Sequence, residues 1–250
     1  MDHALSIMRE SASSPIQEPK KSIGGLIGGE ARLADLHRAR GAAICGSVLS
    51  RAITYSMAVL ETNTSMGLIV AAPTAGSSGI VPGLLLALQE EYSIPDSRVI
   101  DALFNAGAIG YLAMRNATVQ ARWAAARQRW GCLGYGRLGC RGAHGRNCKT
   151  VSQCRLVGSH EPAGPGVRPP GRSGGMPLPG RNAAGAAVAL TAAELALSGI
   201  RQLIPFDEML AAMYRVGRQL SPDLRETALG GCAATPTGKA LGCRACPCSP

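Results

Sequence analysis

The stretch that decides the fold is residues 66–79, which read MGLIVAAPTAGSSG. A short apolar run leads into a proline and then into six small residues. Apolar side chains at helical spacing stand on both sides, over residues 46–61 and 80–91. Neither side shows the alternation that is typical of a β-strand. The stretch is therefore predicted to connect two helices.

Further segments combine a helix-start signal with apolar side chains at helical spacing. Three of them are predicted as helices: residues 93–112, 182–198 and 205–218. The second is rich in alanine and can end at Gly199. The third begins PFDE, with proline and acids in its first turn, and a short helix is predicted to open at Ser221. We predict an all-α fold.

Composition excludes several classes of protein. The chain has 250 residues, of which 46% are apolar, so it is too apolar to be disordered as a whole. It contains no apolar run of membrane length and does not begin like a secretory signal, so we expect a cytoplasmic protein without a membrane partner. The nine cysteines, without such a signal, argue against a disulfide scaffold.

The positive charge lies in one segment. The chain carries a net charge of +10, and residues 120–180 account for +9 of it. The same segment holds 13 of the glycines and both tryptophans, and its apolar residues keep no regular period. We therefore divide the chain into two parts of one helical domain, this basic segment, and an irregular tail. The boundaries are 1–119, 120–180, 181–241 and 242–250.

The segment 120–180 allows three interpretations. It is a disordered basic insert that binds nucleic acid, a zinc module, or coding sequence translated in the wrong frame. The zinc module is the weakest, because no pair of cysteines in the segment has the close spacing of a zinc knuckle. Its ligands would come from Cys132, Cys140, His144, Cys148, Cys154 and His160.

The parts on either side of the segment resemble the α subunit of the iron–sulfur L-serine dehydratases. Four stretches carry the resemblance: residues 24–31, GGLIGGEA; residues 63–79; residues 106–119; and residues 181–239, from RNA through IPFDE and LRET to AATPTGK. The context of residues 73–79 makes this resemblance more specific than a glycine-rich loop alone.

The resemblance implies a helical catalytic domain that eliminates water from L-serine. The product enamine goes on to pyruvate and ammonia, a lyase reaction of amino-acid catabolism and gluconeogenesis. Such an enzyme holds a [4Fe–4S] cluster on three cysteines, and one iron acts as a Lewis acid on the β-hydroxyl. The resemblance also implies a β subunit as partner and no nucleic acid. The catalytic base stays unidentified.

The six small residues from Thr74 to Gly79 are a candidate site for the substrate carboxylate. Small residues expose backbone N–H groups, and the start of the following helix favours an anion. The alternative is a tight turn without a ligand. Asn116 and Asn182 are further candidates, although capping or turn roles are commoner for asparagine. The candidate substrate-binding residues are Thr74, Ala75, Gly76, Ser77, Ser78, Gly79, Asn116 and Asn182.

The cysteine motifs of this family are absent from the place where they belong. They are close to GGCQAEVG and CDPxAGLVExPC, and both are expected between Val119 and Arg181. Residues 123–131 can be back-translated so that a shifted frame reads GGCQAEVG. Residues 160–169 can be treated in the same way, and a second shifted frame then reads MNLLGLACD.

Three losses of a single base explain both motifs. They fall near Val119, Gly131 and Gly180, and together they remove one codon, so that the frame returns at Arg181. The lost cysteine codons lie across residues 125–126, 167–168 and 178–179. We therefore predict that the chain with this sequence holds no intact cluster and is inactive, and we assign no metal ligand.

The remaining cysteines and Lys239 receive weaker interpretations. Cys45 and Cys232 are predicted to be small buried residues. Lys239 is predicted to be solvated within a turn over residues 235–239. The tail has Cys243, Cys246 and Cys248 at a spacing that can bind a metal, but the resemblance ends before them.

Overall fold

The computed structural model describes residues 1–72, 74–116, 179–200, 203–219, 221 and 234–244. These residues form helices and no β-strand, which confirms the all-α prediction. The helices are α1 (Asp2–Gln17), α2 (Glu30–Ala39), α3 (Gly46–Thr64), α4 (Ile80–Tyr92), α5 (Asp96–Asn116), α6 (Pro179–Leu197), α7 (Phe206–Gln219) and α8 (Pro236–Arg244), and a short 3₁₀ turn (Ala75–Ser77) precedes α4.

Helix α3 lies at the centre of this arrangement. It packs against α1, α2, α4 and α6, and α4 also packs against α6. Its Ala52 and Val59 are buried together with Leu84 of α4 and Ala189 of α6. Burial of this apolar surface is the main term that holds the helices together.

Glycines allow α3, α4 and α6 to approach closely. A Cβ atom at Gly79 would stand 2.2 Å from the backbone oxygen of Ser56, and one at Gly83 would stand 2.1 Å from the Ser56 hydroxyl. On the other contact of α4, a Cβ atom at Gly185 of α6 would stand 2.4 Å from Ile80 Cδ1. The beginning of α4 therefore fits against α3 and α6 only because these positions lack side chains.

Most of the predicted helices are present. Helices α3 to α7 match the predicted segments, and α6 begins at Pro179, inside the stretch assigned to the basic segment. Helix α1 was not predicted, although Leu5, Met8 and Ala12 lie on its buried face at helical spacing. The helix predicted at Ser221 runs into residues outside the described ranges.

Three local predictions have an outcome. The turn over residues 235–239 is wrong: α8 begins there, and its Gly238 N–H donates to the Thr235 hydroxyl, as in an N-cap. Lys239 is exposed, as predicted. Cys45 is exposed rather than buried, because it precedes α3 at a corner of the chain where Ile44 is also exposed.

Other predictions fall outside the described residues. Almost all of segment 120–180 lies there, so neither a disordered nor a misread middle is tested, and neither is Cys232. The division into 1–119, 120–180, 181–241 and 242–250 stays a prediction. Among the residues that the structure does describe, no helix has both the length and the apolar character needed to cross a membrane.

Candidate functional site

Residues 74–79 form a compact turn that leads directly into α4. The Ser77 N–H donates to the Thr74 carbonyl at 3.2 Å, and the Ser78 N–H donates to the Ala75 carbonyl at 3.4 Å. Gly79 caps α4, which begins at Ile80. The turn therefore lies at the positive end of the α4 dipole, where an anion is stabilised.

The serines of the turn face inward. Ser77 and Ser78 are buried, whereas Ala75 and Gly76 are exposed and Thr74 is half-buried. The Ser77 and Thr74 hydroxyls lie 3.0 Å apart, and the Ser78 hydroxyl donates to the Ala75 carbonyl at 2.8 Å. The two serine hydroxyls thus stabilise the turn, and its accessible corner is formed by Ala75 and Gly76.

Two asparagines hold the carbonyls of that corner. Asn63, in the last turn of α3, donates from its amide nitrogen to the Ala75 carbonyl at 3.0 Å. Asn182, in the first turns of α6, donates to the Gly76 carbonyl at 3.4 Å and is almost completely buried, with 1% of its surface exposed. Both carboxamides contact the turn itself.

Sequence reasoning found only one of these two asparagines. Asn182 was a candidate, whereas Asn63 was missed although it opens a stretch that carries the family resemblance. The helical period gave the useful signal, because it places position 63 at the end of α3 and therefore near the turn that follows. Asn116 is the last residue of α5, and its side chain lies outside what the structure describes.

A buried carboxylate stands two residues before Asn63. Glu61 is only 1% exposed, and it accepts the N–H groups of Gly29 at 3.1 Å and Ala31 at 2.7 Å at the start of α2. Glu30 accepts the Gly28 N–H at 2.7 Å beside it. Burial raises the pKa of Glu61 and the neighbouring Glu30 adds to this rise, while the two N–H donors oppose it.

The glycines before α2 need their special backbone. Gly28 and Gly29 have φ angles of 148° and 105°, which residues with a side chain rarely adopt. At Gly28 a Cβ atom would in addition stand 2.6 Å from the Lys20 carbonyl oxygen. The loop therefore presents three N–H groups, of Gly28, Gly29 and Ala31, to two glutamates.

The last turn of α3 joins the two glycine-rich segments. Glu61 holds the start of α2, Asn63 holds the turn before α4, and the Thr64 carbonyl accepts the Ile23 N–H at 3.1 Å. Thr62 donates from its hydroxyl to the Ser11 carbonyl of α1 at 2.8 Å. Four consecutive residues therefore fix the positions of two loops and one helix.

Comparison with known proteins identifies the family. The family model described as serine dehydratase alpha chain matches residues 1–132 and 176–233, which is more than half of the chain. The chain belongs to the serine dehydratase alpha-chain family. Both the turn at residues 74–79 and the asparagines at 63 and 182 lie in the matched ranges.

Three similar members of the family cover most of this chain. A probable L-serine dehydratase alpha chain of Bacillus subtilis (strain 168) is 35% identical and covers 96% of this chain and 80% of its own length. The L-serine dehydratase alpha chain of Peptoniphilus asaccharolyticus is 30% identical, and the match covers 96% of this chain and 83% of the relative. A probable L-serine dehydratase alpha chain of Latilactobacillus sakei is 34% identical, and the match covers 78% of this chain and 93% of the relative.

The described part of this serine dehydratase-type chain does not supply ligands for a metal cluster. Among those residues, no group of three His, Cys, Asp or Glu side chains is placed to hold a metal ion. The Cys45 thiol is exposed at the start of α3 and forms no disulfide with a described residue. The three thiolates that a [4Fe–4S] cluster of the implied kind needs are therefore not found in this part of the chain.

Proposed function

We propose that this chain is an α chain of an L-serine dehydratase, a lyase that removes water from L-serine and leads to pyruvate and ammonia. Membership of the family supports this proposal, and so do the relatives, which are named L-serine dehydratases. The observation that carries the substrate site is the small-residue turn at the start of α4, with its inward serines and exposed corner.

The turn at residues 74–79 is proposed to bind the substrate carboxylate. Its Ala75–Gly76 corner is open, and a Cβ atom at Gly76 would meet no heavy atom within 4 Å. The dipole of α4 favours a negative charge there by about 0.3–1 kcal/mol at an exposed site. No Asp or Glu side chain among the described residues bonds to the turn, so no acid of this part of the chain competes for the place.

The sequence lacks the cysteine motifs that would bind the iron–sulfur cluster of such an enzyme. The resemblance implies a [4Fe–4S] cluster, but the family cysteine motifs are absent between Val119 and Arg181. The family model matches the chain up to residue 132 and again from residue 176, so the unmatched residues 133–175 support a change of frame within that part of the segment. We propose that the chain with this sequence binds no cluster and does not turn over L-serine.

Restoring the frame tests this proposal. One variant carries a single base inserted near each of codons 119, 131 and 180, and the chain with the present sequence is the matched control. The restored chain, purified and assayed anaerobically, is expected to contain about four irons and four sulfides and to form pyruvate from L-serine. The control is expected to contain neither iron nor sulfide in stoichiometric amount, and to form no pyruvate.

Two results would contradict the proposal. About four irons in the control chain would show that the present cysteines hold a cluster. A restored chain that binds a cluster but leaves L-serine unchanged would remove the substrate assignment. Sequencing of the source DNA across codons 115–185 separates a change in the gene from an error in its reading.

A second subunit is the partner that this proposal implies. The relatives are named alpha chains, which supports a second, β-type subunit for this chain as well. The alternative of a non-catalytic helical protein with a nucleic-acid-binding insert is not favoured, because the family match accounts for most of both flanks.

A further inference from the structure

We propose that Asn63 is a positioning residue that turns the Gly76 N–H toward the carboxylate of the substrate. The inference rests on the proposed function, because it presupposes that the turn at residues 74–79 binds L-serine. It adds a role for Asn63, which contacts the turn rather than the substrate.

The first step is the carbonyl of Ala75. Its oxygen accepts the Asn63 amide at 3.0 Å, the Ser78 hydroxyl at 2.8 Å and the Ser78 N–H at 3.4 Å. Three donors on one oxygen saturate the acceptor and fix its direction. Ser78 belongs to the turn, so among the described residues Asn63 is the group outside it that holds this carbonyl in place.

The second step follows from the planarity of the peptide bond. In a trans peptide unit the carbonyl of one residue and the N–H of the next point in opposite directions. The donors that hold the Ala75 carbonyl therefore also set the direction of the Gly76 N–H, which points away from Asn63. The Asn182 contact at 3.4 Å holds the next carbonyl, that of Gly76, and so fixes the Ser77 N–H, which donates to the Thr74 carbonyl inside the turn.

The third step is electrostatic. A carbonyl oxygen carries partial negative charge, so a carbonyl that rotates outward at this corner repels a carboxylate, whereas an N–H attracts it. Two neutral carboxamides satisfy both carbonyls without adding an acid to the site. An aspartate at position 63 would have nearly the same shape, but its carboxylate cannot donate and would repel the Ala75 oxygen.

The contrast between substitutions at position 63 provides the test. Asn63→Asp keeps the volume and removes the donor, Asn63→Ala removes both, and Asn105→Ala is the control. Asn105 lies in α5, and its amide nitrogen is buried without a hydrogen-bond partner among the described residues. Removing a carboxamide there is expected to leave the turn unchanged. Asn63 is only half-buried, so its variants are more secure in folding than variants of the buried Asn182.

The measurement is calorimetric binding of L-serine and of L-serine amide, which lacks the carboxylate, to the full chain. Asn63→Ala is expected to weaken the affinity for L-serine about threefold to tenfold, which corresponds to the loss of one neutral hydrogen bond. Asn63→Asp is expected to weaken it at least as much. Binding of the amide is expected to stay within about twofold in all variants, since it has no carboxylate to orient.

Each outcome decides a different statement. If neither the unchanged chain nor the frame-restored chain binds L-serine, the substrate site fails, and this inference fails with it. If it binds L-serine and the Asn63 variants bind it equally well, only the positioning role is overturned. If Asn63→Asp binds L-serine as the parent does while Asn63→Ala does not, position 63 acts through its volume, and the inference is also wrong.

Discussion

Two glycine-rich segments meet the last turn of α3, and opposite kinds of side chain hold them. In the loop before α2, glutamate oxygens accept the N–H groups of Gly28, Gly29 and Ala31. In the turn before α4, asparagine amides donate to the carbonyls of Ala75 and Gly76. Both segments precede a helix, so both would attract an anion.

The difference indicates which segment is left open for a ligand. The first already contains a carboxyl group from the protein itself, because Glu61 occupies the N–H groups of Gly29 and Ala31 at the start of α2. The second has its carbonyls satisfied and no acid of the described residues bonded to it. A substrate carboxylate would therefore supply at the second segment what Glu61 supplies at the first.

Removal of Glu61 breaks the comparison at its first segment, and we expect the largest effect there. Glu61→Ala leaves the N–H groups of Gly29 and Ala31 without an acceptor and opens a cavity beside α3. The free energy of unfolding is expected to fall by about 4 kcal/mol. Urea unfolding measures this, with Glu10→Ala on the exposed face of α1 as the control at about 0.5 kcal/mol or less. A loss below about 1 kcal/mol for Glu61→Ala would mean that water replaces the carboxylate.

A pair of glycine substitutions sharpens the comparison at the second segment. Gly79→Ala places a methyl group 2.2 Å from the Ser56 backbone oxygen, so α3 and α4 must separate. We expect a loss of about 3 kcal/mol. Gly76→Ala adds the same methyl group in open space and is expected to change stability by about 0.5 kcal/mol or less. Thermal unfolding of both variants is the measurement, and equal losses would show that the packing of Gly79 is looser than described.

The sequence was sufficient for those parts of the molecule that depend on local signals. Apolar period, proline and glycine located α3 to α7, because each of these helices has its own start or stop residue. Helix α8 was predicted as a turn, because its N-cap Thr235 stands among residues that also favour turns. The turn at residues 74–79 was a candidate site from the same local signals.

The contacts across the chain were not accessible in this way. Glu61 and Gly29 are 32 residues apart, and Asn182 and Gly76 are 106 apart. No local pattern shows that a glutamate at the end of one helix caps another, or that an asparagine donates to a turn. Sequence reasoning named Asn182 as one candidate, but only the packing of α3 against α2, α4 and α6 reveals the parts played by Glu61 and Asn63.

The smallest expected effect concerns the charge of Glu61. Because burial raises its pKa in the folded chain, the folded state binds this proton more tightly than the unfolded state does. Its contribution to stability is complete below the unfolded pKa and is lost as pH rises through the folded pKa. The parent is therefore expected to lose stability from this group as pH rises from about 4.5, the ordinary range of a glutamate, toward neutrality.

Glu61→Gln isolates that contribution, since a carboxamide does not titrate. The variant is expected to be less stable than the parent at every pH, because one of its two oxygens becomes a donor that faces N–H groups. The difference between the free energies of unfolding of the two proteins should narrow as pH rises. The pKa of Asp96 is lowered mainly by its hydrogen bonds to Arg9 and Gln89, so its contribution to stability has the opposite pH dependence. Asp96 is present in both proteins, and its contribution therefore cancels from the difference. Urea unfolding at several pH values measures this difference in the free energy of unfolding. A difference that widens as pH rises would mean that the N–H groups of Gly29 and Ala31 outweigh burial. Glu61 would then be held as an anion, like the substrate carboxylate proposed for the turn before α4.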